Sequence, residues 1–136
     1  CEIFIPWSKT EEIWNLLLER GVVACGLAAR DTLRLEAAYP LHGHELGEEI
    51  SALESGLGWI VKLGKESFIG KSALARQKEE GVTRKLVGFA LTDQGIARHN
   101  DRVFDSSGQE IGVVTSGTKT PTVNRSLGLA LIAASH

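Results

Sequence analysis

The 136-residue chain reads as an α+β protein whose helices come first and whose strands come last. Three observations carry that reading. Before Thr83, apolar residues recur at helical spacing in three stretches, closed by Gly21, Pro40 and Gly81. After Thr83, "KLVGFAL", "DRVFD", "EIGVVTSG" and "SLGLALI" are short strand-like runs with Gly, Asn, Asp and Ser at the joins. The change between the two styles is abrupt, and it divides the chain into residues 1–82 and residues 83–136.

Taken in order, "EIFIP" (Glu2 to Pro6) has the isoleucine and phenylalanine content of a brief strand and stops at proline. Ser8 with Glu11 three residues later is a capping-box spacing. Ile13, Leu16 and Leu17 continue it as a helix that Gly21 ends. "GVVACG" is an extended link to a second helix, Leu27 to Ala38, whose Ala29, Leu33 and Ala37 make one apolar stripe and which Pro40 terminates. Leu41 to Gly58 is irregular and acidic, with three glutamates between Glu45 and Glu49. "WIVKL" (Trp59 to Leu63) reads as a strand and Lys71 to Glu80 as a helix.

Composition bounds the function. With 43% hydrophobic and 24% charged residues the chain is that of a folded domain and not of a disordered one. Fifteen basic and 17 acidic side chains leave a formal charge of -2, so no basic excess points to nucleic acid. No apolar stretch approaches the roughly 20 residues of a membrane span. Cys1 and Cys25 lack a C-x-x-C spacing and make no disulfide framework, which predicts a reducing compartment. The absence of methionine and a start at Cys1, inside a strand-like run, predict a piece of a longer chain.

The motifs carry little chemistry by themselves. "GKESFIGKS" (Gly64 to Ser72) has the setting of a phosphate-binding loop but not its spacing, because Lys65 stands where the first glycine is required. His42 and His44, with Glu45 beside them, could hold a metal, but His99 and His136 are remote in sequence and nothing fixes a third ligand. "TSGTKTPT" (Thr115 to Thr122) reads as a hairpin or corner loop. Arg30 and Arg34 share a helical face four residues apart, a spacing at which like charges repel. From spacing alone, Glu2 and Arg30 belong to a salt bridge or a solvated face, with Asp31 offsetting Arg34.

The blocks "EIFIP", "CGLAARDTLRLEAAYPLHGHEL", "FIGKSAL", "KLVGFAL", "GIARH" and "IGVVTSGTKTPT", in this order, resemble the aminomethyltransferase of the glycine cleavage system, the T-protein, over almost the whole chain. That resemblance implies the end of a ferredoxin-like folate-binding domain in residues 1–82 and the start of an antiparallel β-barrel domain in 83–136. It implies transfer of an aminomethyl carbon from a lipoylated carrier protein to tetrahydrofolate, with release of ammonia. In the family, a glutamate of the strand matching "EIFIP" and the arginine of "AARD" contact the ligand of the folate site, which implies Glu2 and Arg30 as substrate-binding residues. A pterin edge offers two parallel donors that one carboxylate accepts together. The arginine can meet the pterin carbonyl, steady the glutamate or take a carboxylate of the folate tail. On this reading Arg30 turns to the ligand and Arg34 pairs with acids such as Asp31.

The chain departs from the family in two respects. The family's catalytic acid is an aspartate of a region preceding the residue matched by Cys1, so no catalytic residue is assigned here, and no metal. Cys1 and His42 occupy positions that are commonly aromatic, and at Cys1 the loss of bulk would loosen one wall of the pocket. Ser67 replaces the cysteine of the related folate proteins of iron–sulfur maintenance. The folate module of a sarcosine or dimethylglycine dehydrogenase, and a non-catalytic folate-binding protein, are the alternative readings. The resemblance places the protein in a bacterial cytoplasm or a mitochondrial matrix. Open sheet edges in the piece predict self-association through strand pairing.

Overall fold

In the computed structural model, which describes residues 2–136, three helices precede four strands. The helices are α1 (Thr10–Glu19), α2 (Leu27–Glu36) and α3 (Lys71–Glu80), and the strands are β1 (Arg84–Ala90), β2 (Arg102–Phe104), β3 (Glu110–Thr120) and β4 (Arg125–Ala133). This is the α+β order that the periodicity predicts.

Local chemistry sets the helix ends. Gly21 adopts φ +83°, so its N–H reaches Leu18 O at 2.9 Å while the Val22 N–H reaches Leu17 O at 3.0 Å, a Schellman closure of α1. α2 closes in the same way without a glycine. Ala38 takes φ +54°, its N–H bonds Leu35 O at 2.9 Å, and the Tyr39 N–H bonds Arg34 O at 2.8 Å before Pro40. α3 runs between Gly70 and Gly81, as its sequence predicts.

The strands form one antiparallel sheet in the order β1-β4-β3-β2. β4 is interior, and Gly128 to Ile132 are all buried, which explains why "LGLALI" shows no polar alternation. Leu129, Ala130, Leu131 and Ile132 join Val114 and Leu35 as the buried apolar residues. At Gly128 a Cβ would run into the Phe89 ring across the β1–β4 pair, so a side chain here would require that ring to move. In β3 the register shifts between Val114, opposite Ala130, and Ser116, opposite Leu129. Thr115 is the extra residue of a β-bulge.

The structure divides into two compact units, one running to Arg30 and one of Asp31–His136, with the division inside α2. In the first unit Phe4 and Trp7 are 89% and 90% exposed, and α1 buries no residue, with Ile13 and Leu17 half-buried.

Several elements differ from the sequence expectation. "EIFIP" is not a strand, because no segment among the described residues pairs with it and a lone strand has no ladder to stabilise it. "WIVKL" gives a single 3-10 turn, Gly58–Ile60, instead of a strand. Ile60 N–H bonds Leu57 O at 3.0 Å and Val61 N–H bonds Gly58 O at 3.2 Å, so local bonds take the place of a ladder. Ser8 lies in a 3-10 turn, Trp7–Lys9, and α1 begins at Thr10, with Lys9 at its N-cap and no side-chain cap. In α2 the supposed stripe is turned out, with Leu33 60% exposed, and the buried pair is Arg34 and Leu35. "TSGTKTPT" is mostly strand, since β3 runs to Thr120 and the turn is Pro121 to Asn124.

Candidate functional site

Arg34 is nearly buried, although it lies on a ten-residue helix most of whose residues are exposed. A guanidinium withdrawn from water must find acceptors for its donors. Asp31, one turn back on α2, accepts at 2.7 Å, as the i, i+3 spacing predicts. Glu45 Oε2 accepts from Nη1 at 2.9 Å, and Ser116 Oγ accepts from Nη2 at 2.8 Å. One side chain therefore ties α2, the loop after it and strand β3.

The loop folds to deliver that carboxylate. Gly43 at φ +91° turns the chain, and the N–H groups of His44, Glu45 and Leu46 converge on Leu41 O at 3.0–3.3 Å. Glu45 Oε2 also accepts the Leu41 N–H at 2.9 Å, and the Ser55 hydroxyl donates to Glu45 O. Glu45 is fully buried. Burial pushes its carboxyl up, but the hydroxyl dipoles of Ser116 and Thr115, the Leu41 N–H and the Arg34 charge outweigh burial, and its pKa lies below the usual 4.5. Neither hydroxyl reaches Oε1 with hydrogen-bond geometry, and among the described residues that oxygen has no partner.

The β3 bulge supplies the third contact. Val114 and Ser116, two residues apart, would share a face in a regular strand. The extra Thr115 rotates the alternation, so Val114 faces the apolar cavity of 580 Å³ lined by Phe89, Phe104 and Ile132 while Ser116 pairs with Leu129 on the opposite face and meets Arg34. The Thr115 carbonyl accepts His44 Nδ1 at 3.0 Å and His99 Nδ1 at 2.8 Å, and the two rings stack with centroids 4.5 Å apart. His99, remote in sequence, thus lies against His44. Among the described residues no group of three His, Cys, Asp or Glu side chains converges as a metal site.

This cluster is not a nucleophilic triad. His44 Nδ1 faces a carbonyl, lies 3.4 Å from Ser116 Oγ and has no hydrogen bond with Glu45. It can hold three segments in register, and that is the chemistry it offers. The second buried carboxylate is similar. Glu54 takes Arg84 Nε at 2.8 Å and the Ser51 N–H at 2.9 Å, and although burial raises its pKa, these contacts hold it below the usual 4.5. In the loop resembling a phosphate site, the Lys71 ammonium donates to the carbonyls of Lys65 at 2.6 Å and Glu66 at 3.2 Å.

Glu2 and Arg30, the residues singled out for binding, are both exposed. Among the described residues neither side chain makes a hydrogen bond or ion pair, and no contact brings the two together. Cys1, expected to form part of a pocket wall, lies outside the described residues. Sequence reasoning weighed Glu45 and His99 only for a metal, and it did not foresee Glu45 and Ser116 as the partners of Arg34 or His99 against His44. For Glu45, the one available signal was an arginine pair on α2 with a single nearby aspartate to serve it.

Residues 1–65 match the family model described as the GCVT N-terminal domain, and residues 84–136 match the glycine cleavage T-protein C-terminal barrel domain. The chain is similar to an aminomethyltransferase of Exiguobacterium sibiricum, with 49% identity over 131 residues covering 96% of this chain and 36% of that protein. It is 52% identical over 132 residues to an aminomethyltransferase of Listeria monocytogenes, covering 96% of this chain and 36% of the relative. The crystal structure of the glycine cleavage system aminomethyltransferase T from Bartonella henselae superposes with a TM-score of 0.88 at 30% identity, over 96% of this chain and 37% of that one. The chain spans a little more than a third of the length of the relatives it matches.

Proposed function

This chain belongs to the glycine cleavage T-protein family, and we propose that the protein carrying it is an aminomethyltransferase. The reaction moves the aminomethyl carbon from a lipoylated carrier protein to tetrahydrofolate and releases ammonia. Residues 1–82 are then the end of the folate-binding domain and residues 83–136 the start of the barrel. The observation that carries the folate assignment is the state of Glu2 and Arg30. Both stand at the positions the resemblance assigns, both are exposed, and neither is engaged by another side chain among the described residues.

Their chemistry fits a pterin. The Glu2 carboxylate would accept the ring N–H and the exocyclic amino group side by side, and the Arg30 fork would meet a carbonyl or carboxylate of the same molecule. These residues bind and orient the one-carbon acceptor. The proton chemistry at the aminomethyl nitrogen belongs to a carboxylic acid for which residues 1–136 offer no candidate. The named relatives are bacterial, which supports a cytoplasmic setting. No helix among the described residues is long and apolar enough to cross a membrane.

The test is titration calorimetry of the full-length enzyme with tetrahydrofolate. Glu2→Ala removes a charge-assisted hydrogen bond of about 1.5–3 kcal/mol and should weaken binding roughly ten- to a hundredfold. Arg30→Lys should weaken it as well, because an ammonium cannot reproduce a planar fork. Unchanged affinity in both variants overturns the assignment.

A further inference from the structure

We infer that the cleft between the 91–98 segment and the β3–β4 turn binds a small oligoanion, a molecule carrying several phosphate or carboxylate groups. Every residue that lines it belongs to the unit Asp31–His136, so the inference does not depend on the folate reading. The cleft has a volume of 1010 Å³, and Arg98, Lys119 and Arg125 line it with a single carboxylate, Asp93. The chain as a whole has a formal charge of -2, so this positive charge is a local concentration. The other arginines of the unit, Arg34, Arg76, Arg84 and Arg102, each have a carboxylate within 4.0 Å. Arg98 and Arg125 are exposed, and among the described residues neither has an acid partner. Both of them line this one cleft.

The backbone beneath these charges is fixed. Ser126 Oγ donates to Gly95 O at 2.6 Å, and the Leu91 N–H donates to Ser126 O at 2.9 Å. Ala97 O lies where a Cβ of residue 117 would stand, so Gly117 lets the segment rest directly on β3. Asp101 Oδ2 accepts the Arg98 N–H at 2.7 Å, and Arg98 O accepts the Asp101 N–H at 3.0 Å. Lys119 and Arg125 stand in the β3–β4 ladder, opposite Ser126 and Thr120. A trans peptide directs its C=O and N–H to opposite sides, so the Gly95 carbonyl on Ser126 turns the Ile96 N–H away from it. No group among the described residues accepts that N–H. Two guanidinium forks, an ammonium and a free N–H make a donor set for phosphate or carboxylate oxygens. Leu91 and Ile96 are the only aliphatic side chains of the lining, so an apolar guest would gain little. The volume lies at the upper end of the roughly 300–1,000 Å³ of ligand clefts, room for several charged groups.

The experiment is titration calorimetry of the full-length protein with tripolyphosphate in a low-salt chloride buffer. Arg98→Ala, Lys119→Ala and Arg125→Ala should each weaken binding by about three- to tenfold. Lys78→Glu, a larger change of charge on α3 and outside the cleft, should shift the Kd by less than about twofold. Gly117→Ala keeps every cation but displaces the Ala97 carbonyl, and it should weaken binding too. Failure of the wild type to bind, or an unchanged Kd in all three alanine variants, overturns the inference. It is overturned as well if Lys78→Glu weakens binding as much as Arg125→Ala, because overall charge would then account for it. Binding of an oligoglutamate peptide with none of tripolyphosphate would make the cleft a protein-docking surface and overturn the small-anion assignment.

Discussion

The first 30 residues and the remainder of the chain fold by different means. In the first region the helices satisfy their own backbone, but the large side chains Phe4 and Trp7 stay in water and no residue of α1 is buried. In the second, apolar burial is concentrated on β4, and three ionised groups lie inside with their partners. Secondary structure therefore needs no core, as α1 and its Schellman closure show. Fixing a charged side chain at one angle does need one. The folate-binding candidates Glu2 and Arg30 belong to the first region, and the buried Arg34–Glu45 pair belongs to the second.

The sharpest way to break this contrast is to remove one member of the buried pair. Glu45→Ala in the full-length protein takes from Arg34 its one buried carboxylate, leaving only the half-exposed Asp31 as an acid partner, and should cost about 3–5 kcal/mol by denaturant unfolding. Arg76→Ala removes a partner 3.9 Å from Glu80, where both side chains are mostly exposed, and should change stability by less than about 0.5 kcal/mol. A glycine pair makes the same comparison through packing. Gly128→Ala pushes a methyl group into the Phe89 ring and should cost about 1–3 kcal/mol, whereas Gly26→Ala meets nothing within 4 Å and should be nearly silent in the same assay.

Acid should weaken the second region next. Glu45 and Glu54 have folded-state pKa values below the ordinary 4.5, so the unfolded chain binds their protons first. The stability they contribute is fully present above about pH 4.5 and is lost as pH falls through their lower folded values. Glu45→Gln should flatten that acid limb, measured as unfolding free energy between pH 3 and pH 6, which are about the useful limits of such a titration. The smallest effect concerns Ala38, the one α2 closing residue in the left-handed region. Ala38→Gly relieves that strain against a greater loss of chain entropy and should stabilise by about 0.5 kcal/mol, read as a rise in Tm.

What could be read from sequence followed how local each feature is. α3 was legible to the residue because two glycines bracket a run of helix formers. β1, β2 and β4 were legible within about one residue, because turn residues punctuate them. "EIFIP" and "WIVKL" misled because strand propensity describes a surface that fits a neighbour, and neither segment has one among the described residues. The partner of Arg34 across 82 positions of sequence, Ser116, left no local trace. Neither did the meeting of His44 with His99, since both depend on where β3 changes phase. Asp31 was visible because it is one helical turn away.

The extra residue in β3 means that the strand responds to a change of length at Thr115 differently from a change elsewhere along it. Most single substitutions around Thr115 alter one contact. Loss of Thr115 would remove the bulge yet leave Ser116 opposite Leu129, so the inward and outward sets beyond it would stand unchanged, and what disappears is the carbonyl that accepts His44 and His99. Such a deletion would spare the Arg34–Ser116 bond and undo the meeting of the two histidine rings. Among descendants of this sequence, insertions and deletions should collect in the turn at Pro121 to Asn124, and the one length change that β3 absorbs without exchanging its faces is the loss of Thr115.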